Sequence, residues 1–328
     1  MAGTQPPVLP EEPDFASVPA SGNDFSAGTS DSYKEIAVIS GKGGSGKTTV
    51  IASLALLADN KVLADNDVDA ADLHLLLNPS VREAHDFVGG VKAIIDPSLC
   101  TGCGMCADAC HFDAIHPNDP TDDTFAGIYR VDAMACEGCG LCKYICEYGA
   151  VDIASNVTGR WYISNTDHGP MVHARLGIAE ENSGRLVTHV RNVASDLAVT
   201  FSLGYIFGDG PPGTSCPVIA SVTGADLIMI VTEPTVSGVH DMQRVLELIR
   251  HFGIPALIVI NKADLNLDQS ERIEHIAEEM GVRIIGRIPF DRNVHDALMA
   301  SKTVIEYNKG PAYRAVIELW GNLNQIIS

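Results

Sequence analysis

The chain has 328 residues, of which 46% are hydrophobic, and it carries a formal net charge of −20 at pH 7. This surplus of acidic groups repels nucleic-acid phosphates and argues against a nucleic-acid partner. The longest apolar runs, at 227–231 and 256–260, are too short to cross a bilayer, and the N-terminus lacks a basic segment followed by an apolar one. We therefore expect a cytoplasmic protein without a membrane partner.

The chain is predicted to begin with a disordered acidic tail and to continue into an α/β domain. Residues 1–33 are rich in Pro, Ser, Gly and Asp, a composition that buries too little apolar surface to offset the entropy of ordering. A β-branched run at 36–40 then predicts a strand, residues 48–58 a helix and residues 61–64 a second strand. Folding is thus expected to start near residue 34.

A phosphate-binding loop lies between the first strand and the first helix. Residues 41–48 read G-K-G-G-S-G-K-T and match G-x4-G-K-[ST]. In such a loop the backbone N–H groups and the helix start face the phosphates, the lysine reaches the β and γ phosphates, and the hydroxyl binds Mg²⁺. Lys47 and Thr48 take these two roles. The predicted nucleotide-binding residues of this segment are Gly41, Lys42, Gly43, Gly44, Ser45, Gly46, Lys47, Thr48 and Thr49.

Eight of the nine cysteines form two runs of identical spacing, C-x2-C-x2-C-x3-C. Cytosolic thiols stay reduced, so such dense runs indicate metal ligands rather than disulfides. The pattern is that of a bacterial ferredoxin with two [4Fe–4S] clusters, in which the fourth cysteine of each run binds the other cluster. The predicted ligands are Cys100, Cys103, Cys106 and Cys146 for cluster 1, and Cys136, Cys139, Cys142 and Cys110 for cluster 2.

These runs belong to an α+β ferredoxin module at 95–155, inserted into a nucleotide-binding domain that spans 34–94 and 156–328. The module is an internal repeat, because every cysteine of the first run recurs 36 residues later. Residues 157–176 predict a hairpin and loop that return the chain to the domain. The ninth cysteine, Cys216, is either a small buried hydrophobe or a ligand of a further site shared across a dimer.

The rest of the chain alternates strands with helices. Strands are predicted at 203–207, 227–231, 257–260 and 283–285, and helices at 174–180, 186–197, 217–223, 236–251 and 270–280. Such alternation predicts a doubly wound, mainly parallel sheet with helices on both faces, and its ligands bind at the carboxyl ends of the strands. The phosphate loop, residues 65–69, Asp209 and Asn261 all follow strands and are expected to converge.

The chain resembles the MinD/ParA/Mrp class of ATPases, which includes the nitrogenase iron protein. Lys42 gives the phosphate loop the K-G-G-x-G-K-T form of that class. Residues 65–74 resemble its switch I, residues 209–213 its switch II and residues 261–264 its base-recognition segment. With a ferredoxin inserted after switch I, residues 34–328 resemble the members of this superfamily that carry such an insertion.

The resemblance implies roles for individual residues. Lys42 would cross the interface of a nucleotide-dependent dimer, either a homodimer or a heterodimer with a related chain, to reach the partner's nucleotide. Asp67 would orient the attacking water and Asp65 would support Mg²⁺. Asp209 would contact Mg²⁺ through water and sense the γ phosphate. The predicted catalytic residues are Lys42, Lys47, Asp67 and Asp209.

The base-recognition segment leaves two nucleotides open. The resemblance implies ATP, with Asn261 contacting adenine and the loop near Pro289 packing on the ring. Asn-Lys-x-Asp is also the sequence with which GTPases read guanine through the aspartate, here Asp264. We favour ATP and keep a GTPase as the alternative.

Three functions are compatible with these features. The first is iron–sulfur or metal-cofactor assembly, in which ATP controls transfer to an apo-metalloprotein acceptor. The second is an ATP-gated electron donor to a redox partner, similar to the nitrogenase iron protein. The third is a positioning ATPase of the MinD/ParA kind. A MinD-like anchor needs a basic amphipathic C-terminal helix, yet residues 312–328 contain only Arg314 as a basic group, so their apolar positions are expected to pack on the sheet.

Overall fold

The computed structural model describes residues 33–118, 127–177, 180 and 183–328. The predicted tail lies outside the described residues, apart from Tyr33. The strands are β1 (Lys34–Ser40), β2 (Lys61–Asp65), β3 (Ser80–Ile95), β4 (Ile115–Pro117), β5 (Tyr129–Val131), β6 (Val151–Thr166), β7 (Gly169–Leu176), β8 (Tyr205–Pro212), β9 (Leu227–Thr232), β10 (Ala256–Asn261) and β11 (Arg283–Ile288). The helices are α1 (Lys47–Leu57), α2 (Leu73–Leu77), α3 (Met105–Asp108), α4 (Leu141–Ile145), α5 (Ser183–Thr200), α6 (Cys216–Val222), α7 (Val236–Phe252), α8 (Leu267–Glu279), α9 (Arg292–Met299), α10 (Val304–Tyr307) and α11 (Gly310–Ile327).

Within the described part of the chain, nine strands form one sheet in the order β11-β10-β9-β1-β8-β2-β7-β6-β3. Neighbours from β11 to β7 are parallel, whereas β7 pairs with β6, and β6 with β3, in antiparallel register. The inner strands are nearly continuous runs of buried apolar residues, as expected where helices cover both faces. The predicted mainly parallel α/β sheet is confirmed.

The C-terminal helix contributes to one face of this sheet. Successive residues of β1 point to opposite faces, so Val38 belongs to the core beneath α1 and α11, while Ile39 belongs to the core beneath α7 and α8. Helix α11 buries one apolar stripe, formed by Ala312, Val316, Leu319, Leu323 and Ile327. The expected packing of this segment on the sheet is confirmed. Among the described helices, none combines the length and apolarity that crossing a membrane requires.

The cysteine-containing segment leaves the sheet through a long two-stranded ribbon. Strands β3 and β6 each have 16 residues and pair from Ser80 opposite Asn165 to Ile95 opposite Val151. The register shifts around Val88, where the ribbon bulges. Beyond its end lie the short helices α3 and α4 and the hairpin of β4 and β5. The predicted boundary residues 94 and 156 both lie within the ribbon, where they pair with Asp152 and Gly90.

Two predictions for the segment that returns from the module have different outcomes. The hairpin predicted within 157–176 is confirmed by the β6–β7 pair. The helix predicted at 174–180 is wrong at its start, because Ala174 and Leu176 belong to β7. This strand pairs with β2 on one side and with β6 on the other, and its hydrogen-bonding groups are therefore committed to the sheet. Ala174, Arg175 and Leu176 pair with β6, and this pairing outweighs their local helix preference.

We expect Arg191→Met to lower the free energy of unfolding by about 3–5 kcal/mol, because it leaves the buried Glu35 carboxylate without its partner. The Arg191 guanidinium donates to both Glu35 carboxylate oxygens at 2.6 and 2.7 Å and to the carbonyls of Ala220 and Thr223 at 2.6 and 2.7 Å. It thereby ties α5 to β1 and to the end of α6. Denaturant unfolding of the purified protein measures the change.

The control for this prediction is Arg160→Met. Arg160 pairs with Asp86 at 3.1 Å, but these side chains are 58% and 60% exposed, so the pair should contribute less than about 1 kcal/mol. In the Arg191–Glu35 pair the side chains are only 12% and 11% exposed. Equal effects of the two substitutions would show that burial does not determine the contribution of Arg191.

Candidate functional site

The phosphate loop joins β1 to α1 and is held in shape by side chains from the end of β10. Gly44 and Gly46 have positive φ angles of 79° and 88°, which glycine adopts without strain. The Asn261 amide donates to the Ser45 carbonyl at 2.8 Å, and the Lys262 ammonium donates to the Gly44 carbonyl at 3.2 Å. A Cβ on Gly46 would overlap the Asn261 amide. The loop therefore has a preformed concave backbone.

A cavity of about 660 Å³ opens above this loop at the carboxyl edge of the sheet. Its loop-side wall contains Ser40, Gly43, Gly44, Ser45, Gly46, Lys47, Thr48 and Thr49. Asp67, Asp69 and Asn261 line it as well, so segments that follow β1, β2 and β10 meet here. Gly41 does not line the cavity; it lies against α7, where a Cβ would come within 2.6 Å of Asp241.

Three carboxylates lie near the Lys47 ammonium, of which Asp67 lines the cavity with Lys47 while Asp65 and Asp209 are buried. Lys47 Nζ lies 2.6 Å from Asp209 Oδ1 and 3.8 Å from Asp67 Oδ2. Asp65 is fully buried and accepts from the backbone N–H groups of Asp67 and Leu73 at 3.2 and 3.3 Å. One ammonium among three carboxylates leaves a deficit of positive charge. Carboxylate and hydroxyl oxygens are the donors that Mg²⁺ prefers, so the residues present fit this ion.

The pKa values follow from this crowding. Burial by itself lowers the pKa of Lys47, but the carboxylates of Asp209, Asp67 and Asp65 together outweigh it and the net shift of the pKa is upward. Burial and the nearby Asp209 raise the pKa of Asp65 well above its usual value. Burial also raises the pKa of Asp67, to about 6. A carboxylate with such a pKa is mostly ionised at pH 7 and is more basic than an exposed one, which suits it to orient a water molecule.

Lys42 points away from this centre and is held within its own chain. Its ammonium lies 2.6 Å from Glu233 Oε1 and donates to the hydroxyls of Thr235 and Ser237, each at 3.1 Å. The second Glu233 oxygen accepts from Lys262 at 2.9 Å. Burial alone would raise the pKa of Glu233, but the hydrogen bonds from Lys262 and Lys42 produce a net decrease.

Glu233 was not among the residues predicted from sequence. The available signal was an acidic residue directly after the fully buried strand β9, at the edge where ligands bind. Because Glu233 bridges the first lysine of the phosphate loop and Lys262, it links both segments that shape the cavity. Lys42 must leave Glu233 before it can reach a nucleotide on another chain.

The far end of the cavity is apolar. Its lining side chains come from β11, α9, α10 and α11, and they are Ile288, Val294, Leu298, Val304, Ala312 and Val316. Asp264 is exposed and does not line the cavity, and its Oδ1 accepts from the Phe290 backbone N–H at 2.6 Å. Pro289 lies between Ile288, which lines the cavity, and Phe290. This end suits the flat apolar faces of a purine ring.

The two cysteine runs line two further cavities in the inserted module. One is lined by Cys100, Cys103, Cys106 and Cys146, and the other by Cys110, Cys136, Cys139 and Cys142. Each therefore receives three cysteines from one run and the fourth from the other. Backbone N–H groups of Ala114, Ala150 and Ala93 donate to the sulfurs of Cys110, Cys146 and Cys136 at 3.3, 3.3 and 3.5 Å. Such donors stabilise thiolates.

Among the described residues, no three His, Cys, Asp or Glu side chains converge tightly enough to hold a single metal ion. A four-iron cluster has a different requirement, because each thiolate binds a different iron and the sulfurs surround the cluster. The donor set of four cysteines per cavity fits such a cluster. Cys216, at the start of α6, is exposed, so its interpretation as a small buried hydrophobe is wrong. The adjacent Ser215 and Pro217 line the nucleotide cavity, so this turn stays open to solvent.

A model of the CobQ/CobB/MinD/ParA nucleotide binding domain matches residues 36–304. The chain belongs to the CobQ/CobB/MinD/ParA family. The matched range includes the phosphate loop, the three carboxylates and Glu233. The structure also resembles MinD from Pyrococcus horikoshii, solved with Mg-ADP, with a TM-score of 0.53 at 17% identity over 90% of this chain and 97% of that chain.

Among curated proteins, the uncharacterized protein MJ0578 of Methanocaldococcus jannaschii is 33% identical over 89% of this chain and 97% of its own length. The uncharacterized ATP-binding protein MJ0169 of the same organism is 25% identical over 87% of this chain and 85% of its own length. The iron–sulfur cluster carrier protein of Pyrococcus abyssi is 26% identical, but over only 36% of this chain and 44% of its own length. The family match and the structural similarity therefore agree on a CobQ/CobB/MinD/ParA nucleotide-binding fold for this chain.

Proposed function

We propose that this CobQ/CobB/MinD/ParA protein is an ATPase that carries two [4Fe–4S] clusters and uses ATP to control electron donation from them to a partner. The observation that carries the proposal is the division of eight cysteines between two cavities, four to each. The cavities are attached to the nucleotide-binding sheet through the β3–β6 ribbon. One chain thus contains a nucleotide site and two sites suited to clusters.

In the nucleotide site, the chain's own residues bind, orient and neutralise. The loop backbone and Lys47 would hold the phosphates, and Thr48, Asp65 and Asp209 would hold Mg²⁺, which supplies charge neutralisation at the γ phosphate. Lys47 would exchange its contact with Asp209 for the phosphates. Asp67 would accept a hydrogen bond from the attacking water and orient it. Phosphoryl transfer needs such positioning more than covalent catalysis.

We propose adenine as the base, since the apolar end of the cavity offers packing surface and Asp264 does not line the cavity. The Asp264 Oδ1 accepts the Phe290 N–H, and guanine reading would require this carboxylate to line the cavity, which it does not. Asn261, which was expected to contact the base, lines the cavity and donates one amide N–H to the Ser45 carbonyl. We expect ATP to displace a labelled nucleotide at lower concentration than GTP does in a competition titration. A lower concentration for GTP would contradict this choice.

Dimerisation through Lys42 is part of the proposal. The Lys42 side chain is 29% exposed, and it can rotate away from Glu233 toward a second chain. A two-state exchange of Lys42, between Glu233 of its own chain and the nucleotide of the partner, would connect nucleotide binding to assembly. The partner would be a second copy or a related chain.

A cluster carrier is the second candidate function. It is supported by the partial similarity to iron–sulfur cluster carrier proteins from Pyrococcus species and Methanocaldococcus jannaschii. Those matches cover only 33–42% of this chain. Electron donation is favoured because each predicted cluster has a full set of four cysteines from one chain, including one from the opposite run. Release of a cluster would require its bonds to four thiolates, which come from both cysteine runs, to break.

A labelling experiment separates the two functions. The protein is purified anaerobically with its clusters labelled with radioactive iron, and it is then mixed with an apo-ferredoxin, with and without MgATP. For an electron donor, the label stays with this protein under both conditions, while reduced clusters lose their electrons to an acceptor at a rate that MgATP changes. Movement of the label that responds to MgATP would identify a carrier. A purified protein without iron would contradict both.

A further inference from the structure

We propose that the Cys100 end of the inserted module is the docking surface for a protein partner with an apolar centre and a basic rim. This inference rests on the proposed function, and it adds where the electron-accepting partner binds and which side chains it contacts. The surface, called the outer lip, comprises exposed residues in or beside the walls of the first cysteine cavity. They are Leu99, Met105, Asp108, Glu147 and Tyr148.

The two cysteine cavities lie at different positions along the ribbon. The Cys136 cavity touches the ribbon at Ala93, whose N–H donates to Cys136 Sγ, and Gly138 lies against the Val91 carbonyl. The Cys100 cavity touches the ribbon only at its last pair, Ile95 and Val151. Since a strand rises about 3.3 Å per residue, the Cys136 cavity is roughly 7–13 Å closer to the nucleotide-binding sheet.

The first cysteine run packs on a different element from the second. Gly102 lies against Gly127, which precedes β5, and a Cβ on Gly104 would come within 2.9 Å of the Tyr129 hydroxyl in β5. The equivalent glycine of the second run, Gly138, lies against the ribbon instead. The Cys136 cavity, called the inner cavity, is thus attached to the β3–β6 ribbon. The Cys100 cavity, called the outer cavity, is attached to the small β4–β5 hairpin beyond the ribbon. A partner can approach the outer cavity without meeting the ATPase domain.

Apolar side chains form part of the outer lip. Met105 and Tyr148 line the Cys100 cavity and are nevertheless 43% and 52% exposed, and the adjacent Leu99 is 49% exposed. Half-exposed apolar side chains grouped at the mouth of a site indicate a contact with another protein. They also bring the partner's centre close to the cluster, which electron transfer requires.

Each cavity has one exposed glutamate in its wall, Glu147 in the outer and Glu137 in the inner, and the charges next to the walls differ. Asp108 and Glu147 are exposed beside the outer cavity, and the positions 36 residues away from them in the repeat are Tyr144 and His111. Helix α4 carries Lys143, which pairs with Asp152 at 2.7 Å, whereas α3 has no basic residue. The two charged residues of the outer lip, Asp108 and Glu147, are therefore both acidic. The complement of this lip is a basic rim, which would also speed association.

The internal repeat provides matched variants for the test. Glu147 lines the outer cavity and Glu137 lines the inner one, so Glu147→Lys and Glu137→Lys make the same charge change at the two ends. The probe is cytochrome c, a basic haem protein, used first in its redox-inert zinc form so that binding is measured without electron transfer. At low salt we expect Glu147→Lys to raise the Kd at least about fivefold and Glu137→Lys to change it less than about twofold.

The apolar residues are tested with the iron form of the same probe. One electron passes from a dithionite-reduced cluster to the ferric haem, which leaves an oxidised cluster and a ferrous haem without proton transfer. Met105→Ala with Tyr148→Ala should slow this second-order reaction at least about fivefold, whereas Leu141→Ala with Phe112→Ala, at the repeat-related positions of the inner cavity, should leave it within about twofold.

The proposal would be overturned if the outer-cavity and inner-cavity variants changed the Kd, or the electron-transfer rate, to the same degree. A larger effect of the inner-cavity variants would also overturn it. Absence of binding by the unmodified protein at low salt would also overturn it. Iron content and the electron paramagnetic resonance of both clusters are measured on every variant. Missing iron in the unmodified protein would contradict the proposed function, whereas full iron with equal binding losses would contradict only the docking surface.

Discussion

Replacing Cys103 and Cys146 together by alanine will remove about half of the iron, whereas replacing Cys103 and Cys110 together will remove nearly all of it. The reason is that Cys103 and Cys146 line the same cavity, while Cys110 lines the other. The first variant loses two ligands of one cluster, or about four of eight irons, and the second damages both clusters. Iron analysis and electron paramagnetic resonance of anaerobically purified protein measure the loss.

The mirror pair controls for general damage to the module. Cys139→Ala with Cys110→Ala affects only the inner cavity and should again leave about four irons. Cys139→Ala with Cys146→Ala affects both cavities and should leave nearly none. If instead the half-loaded variants were those with both substitutions in one run, each run would hold its own cluster. The crossed assignment would then be wrong.

Asp67→Asn will slow ATP hydrolysis by about a hundredfold or more while MgATP still binds. The amide cannot attract a proton from the attacking water, and this positioning contributes roughly 10²–10⁴-fold in such reactions. Binding persists because the closest carboxylate to Lys47 is Asp209, at 2.6 Å, rather than Asp67, at 3.8 Å. Phosphate release under saturating MgATP measures the rate, and equilibrium dialysis measures binding.

Asp69→Asn is the matched control for this prediction. Asp69 lines the same cavity but is exposed and lies outside the group around Lys47, so its substitution should change the rate less than about threefold. Slowed hydrolysis in Asp67→Asn should also prolong any nucleotide-dependent dimer in sedimentation. Equal losses in the two variants would show that Asp67 has no special role, and a persistent monomer would contradict dimerisation through Lys42.

The parallel core was predictable from sequence because each of its inner strands is a short, continuous apolar run. Strand β9 is buried at all six positions, and the apolar run that forms it is bounded by polar or turn residues on both sides. The phosphate loop was equally readable, since its glycines, Lys47 and the following helix occur in a fixed order. In these segments local preference and tertiary packing agree.

Strand β3 was missed because its sequence does not alternate cleanly. Gly89 and Gly90 interrupt it, and the register shifts around Val88 change which side chains face inward. The strand also exchanges its packing partners midway: Phe87 belongs to the core beneath α5, whereas Ala93 belongs to the small core around the cysteines. No single period describes such a strand.

The candidate site was predictable where a motif fixed it and unpredictable where long-range contacts did. The grouping of Lys47, Asp67 and Asp209 follows from the rule that strand ends converge. The pairing of Lys42 with Glu233 joins residues 191 positions apart and depends on how α7 enters the fold. The two cysteine sets were predicted from the spacing together with the two-cluster ferredoxin pattern, in which the fourth cysteine of each run binds the other cluster.

The β3–β6 ribbon has a consequence for how such a protein could arise and be rebuilt. Its two strands are already paired where they leave the sheet, so the insertion begins and ends at neighbouring points, about 5 Å apart. A module can be added to, or taken from, the outer end of a hairpin without breaking any strand of the nucleotide-binding sheet. Closing the ribbon after the Lys92–Ala154 pair with a two-residue turn would leave a nucleotide-binding domain without the cysteine module. The same joint would accept another cofactor-binding module whose termini form a strand pair.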